Sequence, residues 1–169
     1  ELEAALRAAG KNDKADMVRN ILPEDIQCIF VRQSEQMGLG HAVLCAERAV
    51  GKEPFAVLLA DDFITDYKKS VTSCLVKAFF KSGKSQLSIM KVDGPEISKY
   101  GVVVQSKNKR NISGLVEKPK YQDAPSNLAS IGRYVLTPDI FDILRELPKG
   151  SENEIQLVDA INAQARNEA

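Results

Sequence analysis

The sequence carries a single histidine, His41, and that scarcity removes the histidine-based chemistries first. With one imidazole, neither a Ser-His-Asp nor a Cys-His arrangement is supported, and a lone histidine at the start of a helix reads as a structural donor. Cysteine is nearly as scarce. Cys28, Cys45 and Cys74 stand far apart, in odd number and without metal-ligand spacing. Each sits in an apolar or helix-like stretch, so they read as buried thiols of a reduced, cytoplasmic protein. An excess of either charge is also missing: Lys plus Arg and Asp plus Glu both total 23. That balance excludes bulk electrostatic binding to nucleic acid or an anionic membrane and leaves room for a local basic site. No apolar run is long enough to cross a bilayer, and no basic and apolar leader opens the chain. What remains is 169 residues, 44% hydrophobic and 27% charged, the profile of one globular domain spanning residues 1–169.

The stretch FAVLLADDF, Phe55 to Phe63, organises the reading. Its apolar run without alternation predicts a strand buried on both faces, as in a parallel sheet. The run ends in Asp61 and Asp62. Such a pair either caps the next turn or, beyond a strand's carboxyl end, holds a divalent cation. Upstream, Ile26–Gln33 predicts another strand, and Gly38, Leu39 and Gly40 lead into an apolar helix, 41–50. Glycines at a helix N-terminus suit an anion or a flat base, although a plain strand-to-helix turn looks the same. Helical spacing over Tyr67–Lys81, closed by Gly83, and the strand Gln86–Val92 continue a strand and helix alternation typical of parallel α/β layers.

From Asp93 the texture changes. Short strands at Gly101–Gln105 and Ile112–Glu117 flank a basic turn, Lys107–Arg110, and predict a hairpin inserted over residues 93–120. Glu117 and Lys118 end the second strand. They are either a surface ion pair or an acceptor for sugar hydroxyls beside a cation for a phosphate. Ser126 and Asn127 lie in a loop before the strand Leu128–Leu136; Thr137 and Pro138 suggest a helix start, and Glu154–Gln164 a last helix. Glu1 opens straight into helix-like sequence and Ala169 follows another such run, so both ends read as cuts through a longer protein.

Taken in order, VRQ, GLGHAVLCA, LLADDF, KYGVV, VEKP, SNLASIGRYVL and NEIQLVDAI resemble the bacterial UTP–glucose-1-phosphate uridylyltransferases, also called UDP-glucose pyrophosphorylases, of the sugar-nucleotidyltransferase superfamily. The resemblance implies a Rossmann-like α/β fold, a mixed and mainly parallel sheet with flanking helices, incomplete at both ends. It implies synthesis of UDP-glucose and pyrophosphate from UTP and glucose 1-phosphate with Mg2+, in a homo-oligomer when full length. By the same resemblance Gln33 and Gly38 contact uracil, with Leu39 and Gly40 in the same nucleotide-binding loop. Asp61 ligates Mg2+, Gly101 and Glu117 meet glucose, Lys118 binds the sugar phosphate, and Asn127 borders the sugar pocket. Asp62, Tyr100, Arg133 and Asp159 are expected to be supporting. The chain departs from the pattern at its ends: the GxGTRxxPxTK loop that holds the triphosphate is absent, as is a later segment with a second metal-binding aspartate. The stretch alone is therefore expected to have negligible activity and a half-built metal site. Thymidylyl- or adenylyltransferases of the same superfamily are the nearest alternatives, and a non-catalytic nucleotide- or sugar-binding module is another.

Overall fold

The computed structural model describes residues 1–65, 69–107, 111–150 and 153–167. They divide into two compact units, Glu1–Val31 and Arg32–Ala169.

The first unit holds two helices, α1 (Leu2–Ala8) and α2 (Asn12–Arg19). Arg7 ties them by reaching Glu3 at 2.9 Å and Asp16 at 2.8 Å, and Ala15 is fully buried. The strand expected over Ile26–Gln33 does not form. Its β-branched and aromatic residues find no ladder partner in the described sheet, and Phe30 is 95% exposed. An extended segment becomes a strand only when a neighbour takes its N–H and C=O groups.

The second unit carries α3 (Gly38–Cys45), α4 (Glu47–Val50), β1 (Phe55–Leu58), α5 (Val71–Ser82), β2 (Gln86–Lys91), β3 (Gly101–Gln105), β4 (Ile112–Glu117), β5 (Leu128–Leu136), α6 (Ile140–Glu146) and α7 (Leu157–Asn167). The hub is β5. It pairs with β2 along most of its length, with β1 over Arg133–Leu136 and with β3 at Ala129 and Ser130, while β4 adds to β3. Every recorded pairing is antiparallel, against the expected mainly parallel sheet. The strand and helix alternation was nevertheless sound. β1 and β2 both run opposite to β5, so they run in the same direction, with α5 as their connection and an antiparallel strand inserted between them. Periodicity reports which segments are strands and is blind to what is threaded between them. The mixed α/β architecture stands, and the hairpin of β3 and β4 joins the same sheet through β5.

Burial corrects a second expectation. Among the described residues β1 pairs only with β5, and its residues alternate between half-buried and exposed, with Leu58 55% exposed. A strand with one sheet neighbour and one packed face cannot be buried on both. The thiols also differ from expectation: Cys28 and Cys74 are exposed and Cys45 is half-buried, all unoxidised.

The core lies between the sheet and the helices α3, α6 and α7. Val103, Leu115, Tyr134 and Leu136 meet Leu144 and Ile161 there, and Phe55 stacks on Phe141 at 4.9 Å. Each aliphatic or aromatic side chain so buried contributes about 1.5–3 kcal/mol. The α7 face follows from its sequence, since Leu157, Ala160, Ile161 and Gln164 recur at helical spacing and are all buried. Asn162 serves β4: its amide accepts from Leu115 N at 2.6 Å and donates to Leu115 O at 2.9 Å, standing in for a strand neighbour. Several helix boundaries shift: α7, expected over Glu154–Gln164, runs Leu157–Asn167, and the helix expected over 41–50 divides into α3 and α4. α5 opens at Ser70, whose hydroxyl accepts from Ser73 N, and closes at Gly83 in the left-handed conformation, φ 68. α3 starts at Gly38, three residues before the expected start. α6 starts at Ile140 because the Thr137 hydroxyl, expected as its cap, is taken by Ser85 and Gln164. Part of the basic turn Lys107–Arg110 lies outside the described residues. Among the described residues no helix is long and apolar enough to cross a membrane.

Candidate active site

The site assembles on the middle of β5. Gly132 is buried there, and a Cβ on it would lie 2.6 Å from both Asp62 Oδ2 and Leu59 Cβ. That closeness has a use. Gly132 N donates to Asp62 Oδ2 at 2.7 Å, Leu59 N donates to Gly132 O at 2.9 Å, and Arg133 Nη1 donates to Leu59 O at 3.0 Å. The loop after β1 is thus laced to β5 at Leu59 and at Asp62. Asp62 is the structural member of the pair, and the neighbouring Asp61 is exposed. A charged acceptor on a buried N–H makes one of the stronger hydrogen bonds available to a loop.

One step along the same strand, Ser130 faces Gly101, and Gly101 faces Glu117 across the β3–β4 ladder. A Cβ on Gly101 would meet Glu117 Oε2 at 3.1 Å and little else. Glu117 and Lys118 are 44% and 66% exposed, and their charged ends stand 3.7 Å apart. Lys118 adopts φ 42, a left-handed backbone, although the residue before a proline prefers an extended one. Such a conformation costs about 1–2 kcal/mol in a non-glycine residue. It is held by the donation of Lys118 N to Tyr100 O at 3.1 Å and by the burial of Pro119. Tyr134 lies behind these groups. Burial pushes its phenol above the ordinary value, the contact from Ser130 Oγ at 3.5 Å opposes that, and the charges of Glu117 and Asp62 add to the rise. Both carboxylates therefore act on one ring.

The glycines at the entrance of α3 are filled from within the protein. Gly40 N donates to Ile155 O at 2.8 Å and Ile155 N donates to Met37 O at 2.8 Å, so the segment before α7 lies directly on this turn. A Cβ on Gly40 would lie 2.6 Å from Ile155 O, and one on Gly38 would lie 2.9 Å from the same atom. The close backbone approach read from Gly38, Leu39 and Gly40 exists, and the approaching chain is the protein's own. Gln33 leans onto the same turn, its Nε2 donating to Gly38 O at 3.2 Å and lying 2.9 Å from His41 Nδ1.

The structure therefore brings Asp62, Gly101 and Glu117 around Ser130, Gly132 and Tyr134, with Asp61 and Lys118 adjoining in sequence. Gln33, Gly38 and Gly40 form a second group. The two groups are linked by the Ile155–Val158 stretch, since Val158 Cγ2 is 3.9 Å from a Gly101 Cβ position. Asn127 stands apart: it precedes β5, and its side chain donates to Asp93 at 2.9 Å. Asp159 is exposed on α7.

The sequence profile of the nucleotidyl transferases matches residues 4–169. The chain belongs to the nucleotidyl transferase family. Among curated relatives of this nucleotidyl transferase chain, UTP–glucose-1-phosphate uridylyltransferase of Haemophilus ducreyi is 41% identical over 172 residues, covering 96% of this chain and 58% of its own length. The enzyme of the same name from Streptococcus pyogenes is 44% identical over 169 residues, covering 96% of this chain and 55% of its own. A crystal structure of UDP-glucose pyrophosphorylase complexed with UDP-glucose superposes with a TM-score of 0.83 at 44% identity, over 94% of this chain and 61% of that one. The chain thus spans little more than half the length of the curated relatives it matches.

Two residues of the candidate site carry little signal in the sequence. Gly132 sits within GRYVL and carries no motif of its own; the only signal was a glycine inside an otherwise apolar strand, which marks a close backbone approach. Tyr134 was read simply as a strand residue. For a cation, no group of three or more His, Cys, Asp or Glu among the described residues is placed to hold one. Mg2+ asks for less, one or two carboxylates with water and phosphate oxygens completing the shell. An exposed Asp61 on a loop anchored by Asp62 fits as one such ligand.

Proposed function

We propose that this nucleotidyl transferase chain forms part of an enzyme that joins UTP and glucose 1-phosphate into UDP-glucose and pyrophosphate. The observation that carries the reading is the end of β4. An acceptor carboxylate, Glu117, and a cation, Lys118, stand exposed side by side across from a glycine that leaves room for a ligand, with Lys118 held in a strained backbone. A sugar phosphate asks for those groups: a carboxylate to accept from hydroxyls, a bare backbone to approach the ring, and an ammonium against the phosphate. The relatives named for this reaction carry the assignment from the broad family to the substrates.

In the proposed reaction an oxygen of the sugar phosphate attacks the α-phosphorus of UTP in line. A new P–O bond forms, the α–β bridge bond breaks, and the bridging oxygen leaves with pyrophosphate. No protein nucleophile is needed. The chain's own residues bring two anions together, which positioning and charge neutralisation accomplish. Gln33, Gly38, Leu39 and Gly40 form the base side, Gly101, Glu117 and Lys118 the sugar side, and Asn127 the rim beside Asp93. Asp61 holds Mg2+, which when bound neutralises phosphate charge. Asp62, through Gly132, anchors on β5 the loop that carries Asp61. The full-length protein is further proposed to be a cytoplasmic homo-oligomer. The full-length protein should release pyrophosphate from UTP and glucose 1-phosphate, with UTP preferred over dTTP and ATP. No release, or a preference for another nucleotide, would sink the reading.

A further inference from the structure

The NH2 group of Gln33 is engaged twice, at Gly38 O and at His41 Nδ1. A carbonyl oxygen only accepts, so Gly38 fixes which end of the amide is the nitrogen. The second hydrogen of that NH2 group then points at His41, and Nδ1 must accept it. The neutral ring consequently carries its hydrogen on Nε2, which lies 3.7 Å from Cys45 Sγ one helical turn further along α3. With both N–H bonds engaged, Gln33 presents a ligand with Oε1 alone, as an acceptor.

An unrestrained glutamine does not separate uracil from cytosine. Its oxygen and nitrogen match N3–H and O4 of uracil in one orientation and, flipped, match the amino group and N3 of cytosine. A glutamine held with its oxygen outward accepts from uracil N3–H and faces the bare N3 lone pair of cytosine. We propose that His41 is a specificity-determining positioning residue, locking the Gln33 amide against flipping and so setting a preference for a base with an N3–H donor over cytosine. The lock does not separate uracil from thymine, which share that donor. This inference rests on Gln33 being the base-side residue of the function proposed above.

Calorimetric titration of the full-length protein with UMP and with CMP tests it. His41→Leu keeps bulk and removes the acceptor, and should lower the UMP-to-CMP preference roughly tenfold, the scale of one unsatisfied hydrogen-bonding group. His41→Asn, whose Oδ1 can accept where Nδ1 does, should retain most of the preference. An unchanged ratio in His41→Leu overturns the proposal. Gln33→Ala separates the two levels: if it leaves UMP affinity unchanged, the base-side assignment itself fails. If it weakens UMP binding while His41→Leu leaves the ratio alone, only the lock fails. Independently of any variant's folding, nitrogen NMR of the wild-type His41 ring should show Nδ1 unprotonated in the neutral form. A proton on Nδ1 overturns the proposal.

Discussion

The two halves of the candidate site are built on opposite plans. On the base side, the donor groups of Gln33 and of the glycine turn are already engaged within the protein. Gln33 is held by Gly38 and His41, and the glycine turn is closed by Ile155 at 2.8 Å. On the sugar side, the exposed charged ends of Glu117 and Lys118 stand 3.7 Å apart, and the atom nearest a Cβ on Gly101 is the Glu117 carboxylate end at 3.1 Å. The same residue type, glycine beside a polar group, therefore meets fixed backbone in one half and a movable side-chain end in the other. Pre-organisation lowers the cost of binding a flat, rigid base. Exposed, screened charges suit a ligand that brings its own hydroxyls and phosphate.

Breaking the closed half should have the largest effect. Gly40→Ala drives a methyl to within 2.6 Å of Ile155 O and 2.9 Å of Leu144 Cδ2, and should cost roughly 1–3 kcal/mol. Alanine's better helix propensity does not offset that. A fall in the midpoint of thermal or chemical unfolding checks it; an unchanged midpoint would mean that the turn is looser than described. Next comes the bond that anchors the aspartate loop to β5. Asp62→Ala leaves Gly132 N without its acceptor and should cost about 1–2 kcal/mol, while Asp62→Asn, which can still accept, should restore most of it. Unfolding of both variants decides whether the carboxylate or merely an acceptor is needed.

Much of this was legible in the sequence. The hairpin, the glycine stop of α5 and the buried stripe of α7 all follow from local periodicity and turn residues, which the chain satisfies within each segment. The bond from Gly132 N gives Asp62 a structural role of its own, while the metal role of Asp61 belongs to the proposal. What could not be read is whatever depends on a partner distant in sequence. β5 inserts between β1 and β2, Ile155 closes a turn more than a hundred residues away, and Ile26–Gln33 has strand-like residues and no ladder. The cysteines were misjudged for the same reason, since an apolar neighbourhood in sequence does not say which face of a helix a residue takes.

A smaller effect tests the ring behind both carboxylates. Because burial raises the Tyr134 phenol, the folded state keeps its proton at pH values where the unfolded chain, near the ordinary value of 10.0, has lost it. Its contribution is therefore whole below about that pH and is lost as pH rises toward the folded value. Tyr134→Phe should unfold with a shallower alkaline decline than the wild type, and equal slopes would remove Tyr134 from the account. Smallest of all, Gly101→Ala should shift stability by no more than about 0.5 kcal/mol, because only a flexible carboxylate end must move. The same variant should still weaken binding of glucose 1-phosphate. A large loss of stability would show that the sugar side is as closed as the base side.

The division of the site into a base half and a sugar half is tested most directly by crossing variants with half-ligands. Dissociation constants for UMP and for glucose 1-phosphate are measured on full-length Gln33→Ala and Glu117→Gln. Gln33→Ala should weaken UMP and leave glucose 1-phosphate unchanged, and Glu117→Gln should do the reverse. Equal losses of both ligands in either variant, or an effect on the opposite ligand, would contradict it.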